Sequence, residues 1–210
     1  DEEYSRLLCA SFEEQRRLGI DVDLMPEVDL NTNPANPNIG GVERSYSADA
    51  KRVKRAARIC HEAGRKTGLQ LCLKHYPGLG GALVDSHQEL TDISGTVGRE
   101  QLALFNEWAE KIYGEMALVS HGILNEWDPG VPVSLSALGL ARLRKAAPRA
   151  VLISDDLQMQ GLQRKMSTAQ GAVAGLRAGL DLICVGNNLI DEQKRMGKVA
   201  ELIAEEAASD

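Results

Sequence analysis

Short apolar runs at residues 20–28, 69–74, 116–120, 150–154 and 180–185 alternate with stretches of helical periodicity from one end of the chain to the other. A strand that is apolar throughout is buried on both faces, and parallel strands need a crossover helix to become neighbours. The order therefore predicts βα units around one parallel sheet, not separate all-α or all-β domains. Helices are expected at 4–18, 48–63, 99–113, 135–146, 167–178 and 192–207, with Gly19, Gly64 and Gly179 as stops. Ser167, followed three residues later by Gln170, forms a capping box. The Asn- and Pro-rich stretch 31–41 reads as a loop. The glycine-rich stretch 77–98 reads as a second, long enough to be functional.

Composition narrows the classes. The chain has 210 residues, 43% of them hydrophobic, enough for one sizeable core. Its net charge of −6 argues against a nucleic-acid partner, since phosphate binding is driven by clustered Lys and Arg. The basic residues between Lys51 and Arg58 alternate with Ala and Val at helical spacing, which predicts a solvated helix face. Cys9, Cys60, Cys72 and Cys184 are far apart and lack CxxC spacing, so neither a zinc site nor a disulfide framework is expected. No apolar run approaches the length of a membrane span, and no leader is visible, which gives a cytoplasmic expectation.

Five strands fit either an open doubly wound sheet or part of a (β/α)8 barrel. His75, His121 and Asp155 each fall at the C-terminal end of an apolar run, the end at which barrel active sites are built. No GxGxxG or Walker loop follows any strand, so the open nucleotide-binding sheet lacks its marker. The fold class expected is α/β, a TIM-type (β/α)8 barrel that is incomplete, with about five strands.

Three clusters can carry chemistry, and each has a plainer reading. Asp155 and Asp156 are either a site carboxylate pair or caps of the following helix. Asp85 and His87 are either an oriented proton-transfer pair, with the carboxylate accepting the imidazole N–H, or two surface residues. Lys74 and His75, before Pro77 and Gly78, are either donors to sugar hydroxyls or a core histidine beside a snorkelling lysine. A carboxylate and a separately mounted proton donor on one barrel face are the parts of a retaining glycoside hydrolase.

The strings themselves resemble glycoside hydrolase family 3, bacterial β-N-acetylglucosaminidase (β-hexosaminidase) branch. VLISDDLQM, ending at Met159, is similar to the nucleophile motif, which makes Asp155 the nucleophile. KHYPGLG from Lys74 is similar to KHFPGHG. Asp85-Ser86-His87 matches the Asp-x-His dyad in which His, rather than Glu, is the acid/base on a mobile loop. NPANPNIG from Asn33, with Arg44-Ser45-Tyr46, resembles the stretch whose Arg binds substrate. His121 and residues 133–136 fall where the family has AH and ASLS.

The resemblance implies a retaining exo-β-N-acetylglucosaminidase acting on cell-wall or chitin-like saccharides. Asp155, His87 and Asp85 would be catalytic, and Arg44, Lys74, His75, His121 and Met159 would bind the sugar. No metal or organic cofactor is implied. A non-catalytic saccharide-binding relative and a β-N-acetylglucosaminide phosphorylase are the alternatives. Leu79 replaces the second His of the family loop, Gly41 to Glu43 lengthen the spacing before Arg44, and the dyad loop lacks its usual Pro. The family's first strands, with their Asp-x-Glu-Gly-Gly segment, precede anything in this chain. The whole is thus expected to be the C-terminal two-thirds of one barrel domain, with open sheet edges through which it could self-associate.

Overall fold

The computed structural model describes residues 1–111, 116–186 and 196–209. Helix α1 (Glu2–Arg17) leads to strand β1 (Val22–Asp23), and α2 (Ala50–Thr67) to β2 (Gln70–Leu71) and β3 (Leu73–Tyr76). Then follow α3 (Arg99–Lys111), β4 (Met116–Val119), α4 (Ala137–Ala146) and β5 (Val151–Ser154). The short α5 (Gln160–Gln163), α6 (Thr168–Ala178) and α7 (Met196–Ser209) complete the order.

All pairings between strands are parallel. β1 pairs with β2, and β3-β4-β5 form a second ladder. Single parallel bridges from Glu27 to Lys74 and from Ile153 to Leu182 extend the order on both sides. Five chain segments thus lie side by side in sequence order, and together they are an incomplete (β/α) barrel. Among the described residues, 22–28 and 180–186 have a sheet neighbour on one side only.

The strand period of two divides the core. Leu73, Ala117, Val119 and Leu152 face the helices and join a cluster with Val53, Ala57, Phe105 and Leu143. Cys72, Met116 and Leu118 point the other way, packing with Val22, Leu24, Val151 and Ile153 on the barrel's inner side. All four cysteines are free thiols, and Cys60 and Cys72 are buried in apolar clusters, where they pack as small hydrophobes. The alternation slips once. Leu73 and Tyr76, three apart, both belong to the helix-facing cluster. The register with β4 shifts between them, and the Lys74–His75 peptide bond there is cis.

The expected helices are present with shifted ends. α2 runs through Gly64, because that residue packs against Leu71, where a Cβ would lie 3.0 Å from the leucine side chain. The helix stops instead at Gly68, whose φ of 72° closes it in the left-handed conformation. On α2, Val53, Ala57 and Cys60 are buried while Lys51, Arg52, Lys54, Arg55 and Arg58 are exposed, so the basic run is a solvated face. Lys54 and Arg55 pair with Glu107 and Asp1, surface contacts worth about 0–1 kcal/mol each. The capping box at Ser167 and Gln170 is formed, and Gly179 ends α6. The fifth expected strand is reduced to its bridge at Leu182, supported by bonds from Leu157 N to Cys184 O (3.1 Å) and Leu182 N to Leu152 O (3.0 Å). Part of the last expected helix, residues 192–195, and the end of that at 99–113, residues 112 and 113, lie outside the described residues. No helix among the described residues is long and apolar enough to cross a membrane.

Candidate active site

A cavity of about 370 Å³ is lined by Leu24, Asn38, Arg44, Lys74, His75, Leu79, Ser86, His87, Leu118, Asp155, Asp156 and Met159. It lies at the C-terminal ends of the strands. Strand alternation delivers Asp155 to it. Val151 and Ile153 face inward, so the next inward position after β5 is 155, while Ser154 turns to the helix side and is fully buried. The Asp155 backbone N–H donates to Val119 O at 2.9 Å, tying the residue to the end of β4.

The acid pair divides its roles. Asp156 Oδ1 accepts from the backbone of Gln158 (2.9 Å), an Asx turn that shapes the loop before α5, and from the backbone of Gly186 (3.1 Å); it caps no helix, since Met159 is the N-cap of α5 and no side chain bonds there. Asp155 Oδ1 takes the N–H of Asp156 at 2.9 Å, leaving its other oxygen without a protein hydrogen bond among the described residues.

His87 comes from the glycine-rich loop. Its Nδ1 lies 2.9 Å from Asp85 Oδ1, the same oxygen that accepts the His87 backbone N–H. Asp85 also accepts from Gln88 Nε2. Slight burial pushes its carboxyl up, but the bonds and charge of His87 outweigh this and hold it below the ordinary carboxylate range. With Nδ1 turned to Asp85, Nε2 is the ring atom left for proton transfer. The loop is tied at several points: Asn33 Nδ2 to Ala82 O (2.9 Å), Asn36 Nδ2 to Leu79 O (2.6 Å), and Ile123 N to Thr91 O (2.8 Å). Gln160 N donates to His87 O at 2.9 Å. Gly161 permits this approach, since a Cβ there would lie 2.4 Å from the Glu89 backbone.

The slip in β3 brings Lys74 and His75 to the same cavity. His75 Nδ1 is 2.7 Å from Asp29 Oδ2, and its Nε2 is 3.4 Å from Arg44 Nη2. His75 is thus held between Asp29 and Arg44 at the cavity wall, against the Arg44 guanidinium. Arg44 also pairs with Glu27 Oε2 at 2.8 Å and donates to Asn38 O at 3.0 Å. Leu79 is buried in the core, and its N–H donates to Asp29 Oδ1 at 2.7 Å.

His121 is only 2% exposed and does not line the cavity. Its position continues the helix-facing row of Ala117 and Val119, which is the physical reason. Its Nε2 is 3.1 Å from Asp156 O, which can only accept, so Nε2 carries the proton and Nδ1 accepts from Ser134 Oγ at 2.6 Å. Burial pushes its pKa down, against the opposing pull of Asp155 and Asp156. His121 thus supports the Asp155-Asp156 backbone from behind.

Glu27, Asp29 and Asn38 escaped the sequence reading. Asp29 was accessible to the rule that picked out His75, because it directly follows an apolar run. Glu27, Asp29 and His75 offer ligand atoms within 4.8 Å of one another, and the Arg44 guanidinium is ion-paired to Glu27 at its edge. Burial raises the Glu27 carboxyl above its ordinary range, with His75, Arg44 and Lys74 opposing and Asp29 reinforcing.

Histidines held neutral make stability depend on pH. His61 is pushed down to about 4 by burial and then by Arg65. Both His61 and His121 have folded values below that of an unfolded histidine, about 6.5. As pH falls from about 6.5 towards 4, the unfolded chain takes up protons first, so stability present at neutral pH is lost. The melting temperature is expected to fall across this window, and His61→Asn to reduce the slope. An unchanged slope in thermal melts from pH 7 to 4 would remove His61 from this role.

Comparison with known proteins decides the family. The model of the glycosyl hydrolase family 3 N terminal domain matches residues 8–208. The chain belongs to glycosyl hydrolase family 3. A relative named beta-hexosaminidase, from Idiomarina loihiensis, is 29% identical over 180 residues, 83% of this chain and 52% of its own length. The chain spans about half the length of the curated relatives it matches. Among solved structures, the fungal multi-domain family 3 β-N-acetylglucosaminidase superposes with a TM-score of 0.86 at 27% identity, over 98% of this chain and 25% of that one. The family 3 β-N-acetylglucosaminidase from Paenibacillus sp. str. FPU-7 gives 0.79 at 26%, over 100% of this chain and 44% of that one.

Proposed function

We propose that this family 3 protein is a retaining exo-β-N-acetylglucosaminidase that releases terminal GlcNAc from cell-wall or chitin-like saccharides. The observation that carries the reading is the meeting of Asp155 and His87 at one cavity, with His87 bonded to Asp85 behind it. The names of the relatives support the choice of sugar. In the first step the Asp155 carboxylate attacks the anomeric carbon while the bond to the leaving oxygen breaks. That oxygen takes the Nε2 proton of the His87 imidazolium, which Asp85 stabilises. In the second step water attacks the glycosyl ester, Nε2 takes a water proton, and Asp155 leaves as the carboxylate. Arg44 and Lys74 hold sugar hydroxyls, Met159 forms an apolar wall, and His75 and His121 act through Arg44 and the Asp155 backbone.

Among the described residues, 22–28 and 180–186 have a sheet neighbour on one side only, which supports pairing of these edges with further β-structure, from this protein or a second copy.

The test is hydrolysis by the intact natural protein of nitrophenyl β-glycosides of GlcNAc and of glucose, with and without inorganic phosphate. The expected result is preferential cleavage of the N-acetylglucosaminide, with free GlcNAc as product in both buffers. A sugar 1-phosphate formed only with phosphate would make the protein a phosphorylase. Binding of the saccharide without turnover would make it a non-catalytic relative.

A further inference from the structure

Asn38 is 6% exposed and lines the cavity between Arg44 and the dyad loop. Its mounting is rigid. The Asn38 N–H donates to Asn36 Oδ1 at 2.9 Å, and Asn36, fully buried, donates through Nδ2 to Leu79 O at 2.6 Å. From this base the Asn38 Nδ2 donates to Ser86 Oγ and lies 3.3 Å from His87 Nδ1. Since Nδ1 is engaged by Asp85 at 2.9 Å, the amide abuts the ring without replacing that bond.

The dyad segment is otherwise knitted mainly to itself: Gln88 N and Glu89 N both donate to Asp85 O at 3.0 Å. Two bonds tie it to the opposite walls of the cavity. One is the main-chain bond from Gln160, beside Met159 on the Asp155 side. The other, from Asn38 to Ser86, comes from the side that carries Arg44, because the Asn38 carbonyl accepts Arg44 Nη1 at 3.0 Å. Ser86 is accordingly 5% exposed while the His87 side chain beside it is 52% exposed.

We propose that Asn38 is a positioning residue whose carboxamide latches Ser86 and so fixes the His87 imidazole relative to the sugar held at Arg44. The latch rests on the reading of His87 as acid/base. Displacing a proton donor by a fraction of an ångström to an ångström weakens proton transfer in proportion to how much the leaving oxygen needs it.

The experiment uses the intact natural protein with Asn38→Ala, Ser86→Ala and the double variant, assayed on an alkyl and a nitrophenyl β-N-acetylglucosaminide. Each single variant is expected to lose about 10- to 100-fold in kcat/KM on the alkyl glycoside, with KM for the nitrophenyl glycoside little changed. The double variant is expected to be no worse than either single one, since both remove the same bond. Asn38→Val, closer in volume, takes the place of Asn38→Ala if the latter does not fold. Hydrogen exchange at the amides of 84–90 is expected to quicken in the Asn38 variant, a readout that needs no turnover. Additive losses, equal losses on both glycosides, or unchanged exchange would overturn the latch. If the unaltered protein cleaves neither glycoside, the reading of His87 fails, and the exchange rates alone decide whether Asn38 holds the loop.

Discussion

Asp155→Asn is expected to abolish turnover of every β-N-acetylglucosaminide, on the order of 10⁴-fold or more, whatever the leaving group. The loss is general because no covalent intermediate can form without the carboxylate. The fold is expected to survive, since an amide oxygen can accept the Asp156 N–H as Oδ1 does at 2.9 Å, and no protein partner holds the second oxygen among the described residues. Melting curves of the variant should match those of the unaltered protein. Wild-type turnover in a folded Asp155→Asn variant would remove the residue from the nucleophile's role.

His87→Ala is expected to act differently, by about 10²- to 10⁴-fold and only where the leaving oxygen needs a proton. An alkyl glycoside should lose most in the first step. A nitrophenyl glycoside needs less help to leave, so its first step should persist while the second, which wants a base for water, becomes limiting. The side chain is half exposed, and its removal leaves Asp85 bonded to the backbone of residue 87. The loop should therefore keep its course. A steeper dependence of kcat/KM on leaving-group pKa than in the unaltered protein supports the assignment, and equal losses across leaving groups would contradict it.

What the sequence revealed of this site depended on parity and on chain end. Asp155 follows an apolar strand whose end the sequence marks, but a strand apolar throughout does not say which parity faces the cavity; the structure supplies it, with Val151 and Ile153 inward and 155 next in that row. The same count, taken from the helix-facing Ala117 and Val119, sends His121 behind Asp155, although its motif pointed to substrate. Lys74 and His75 could not be counted this way. The slip between Leu73 and Tyr76 brings both to the cavity, and adjacent residues on a regular strand would face apart. The ends of α2 were misread because a helical glycine can serve packing as well as termination: Gly64 lies against Leu71, and Gly68 makes the turn. Glu27 and Asn38 were invisible for another reason. Their roles depend on contacts 17 and 48 residues away, to Arg44 and Ser86, and such contacts leave no local pattern.

The most direct test of the central claim is to trap the glycosyl-enzyme. The His87→Ala variant of the intact natural protein is incubated with nitrophenyl β-N-acetylglucosaminide, quenched in acid, digested and read by peptide mass spectrometry. The expected result is one N-acetylhexosaminyl group on the peptide containing residues 151–159, on Asp155, and none when Asp155→Asn is added. The label on another residue, or persisting in the double variant, would contradict the account.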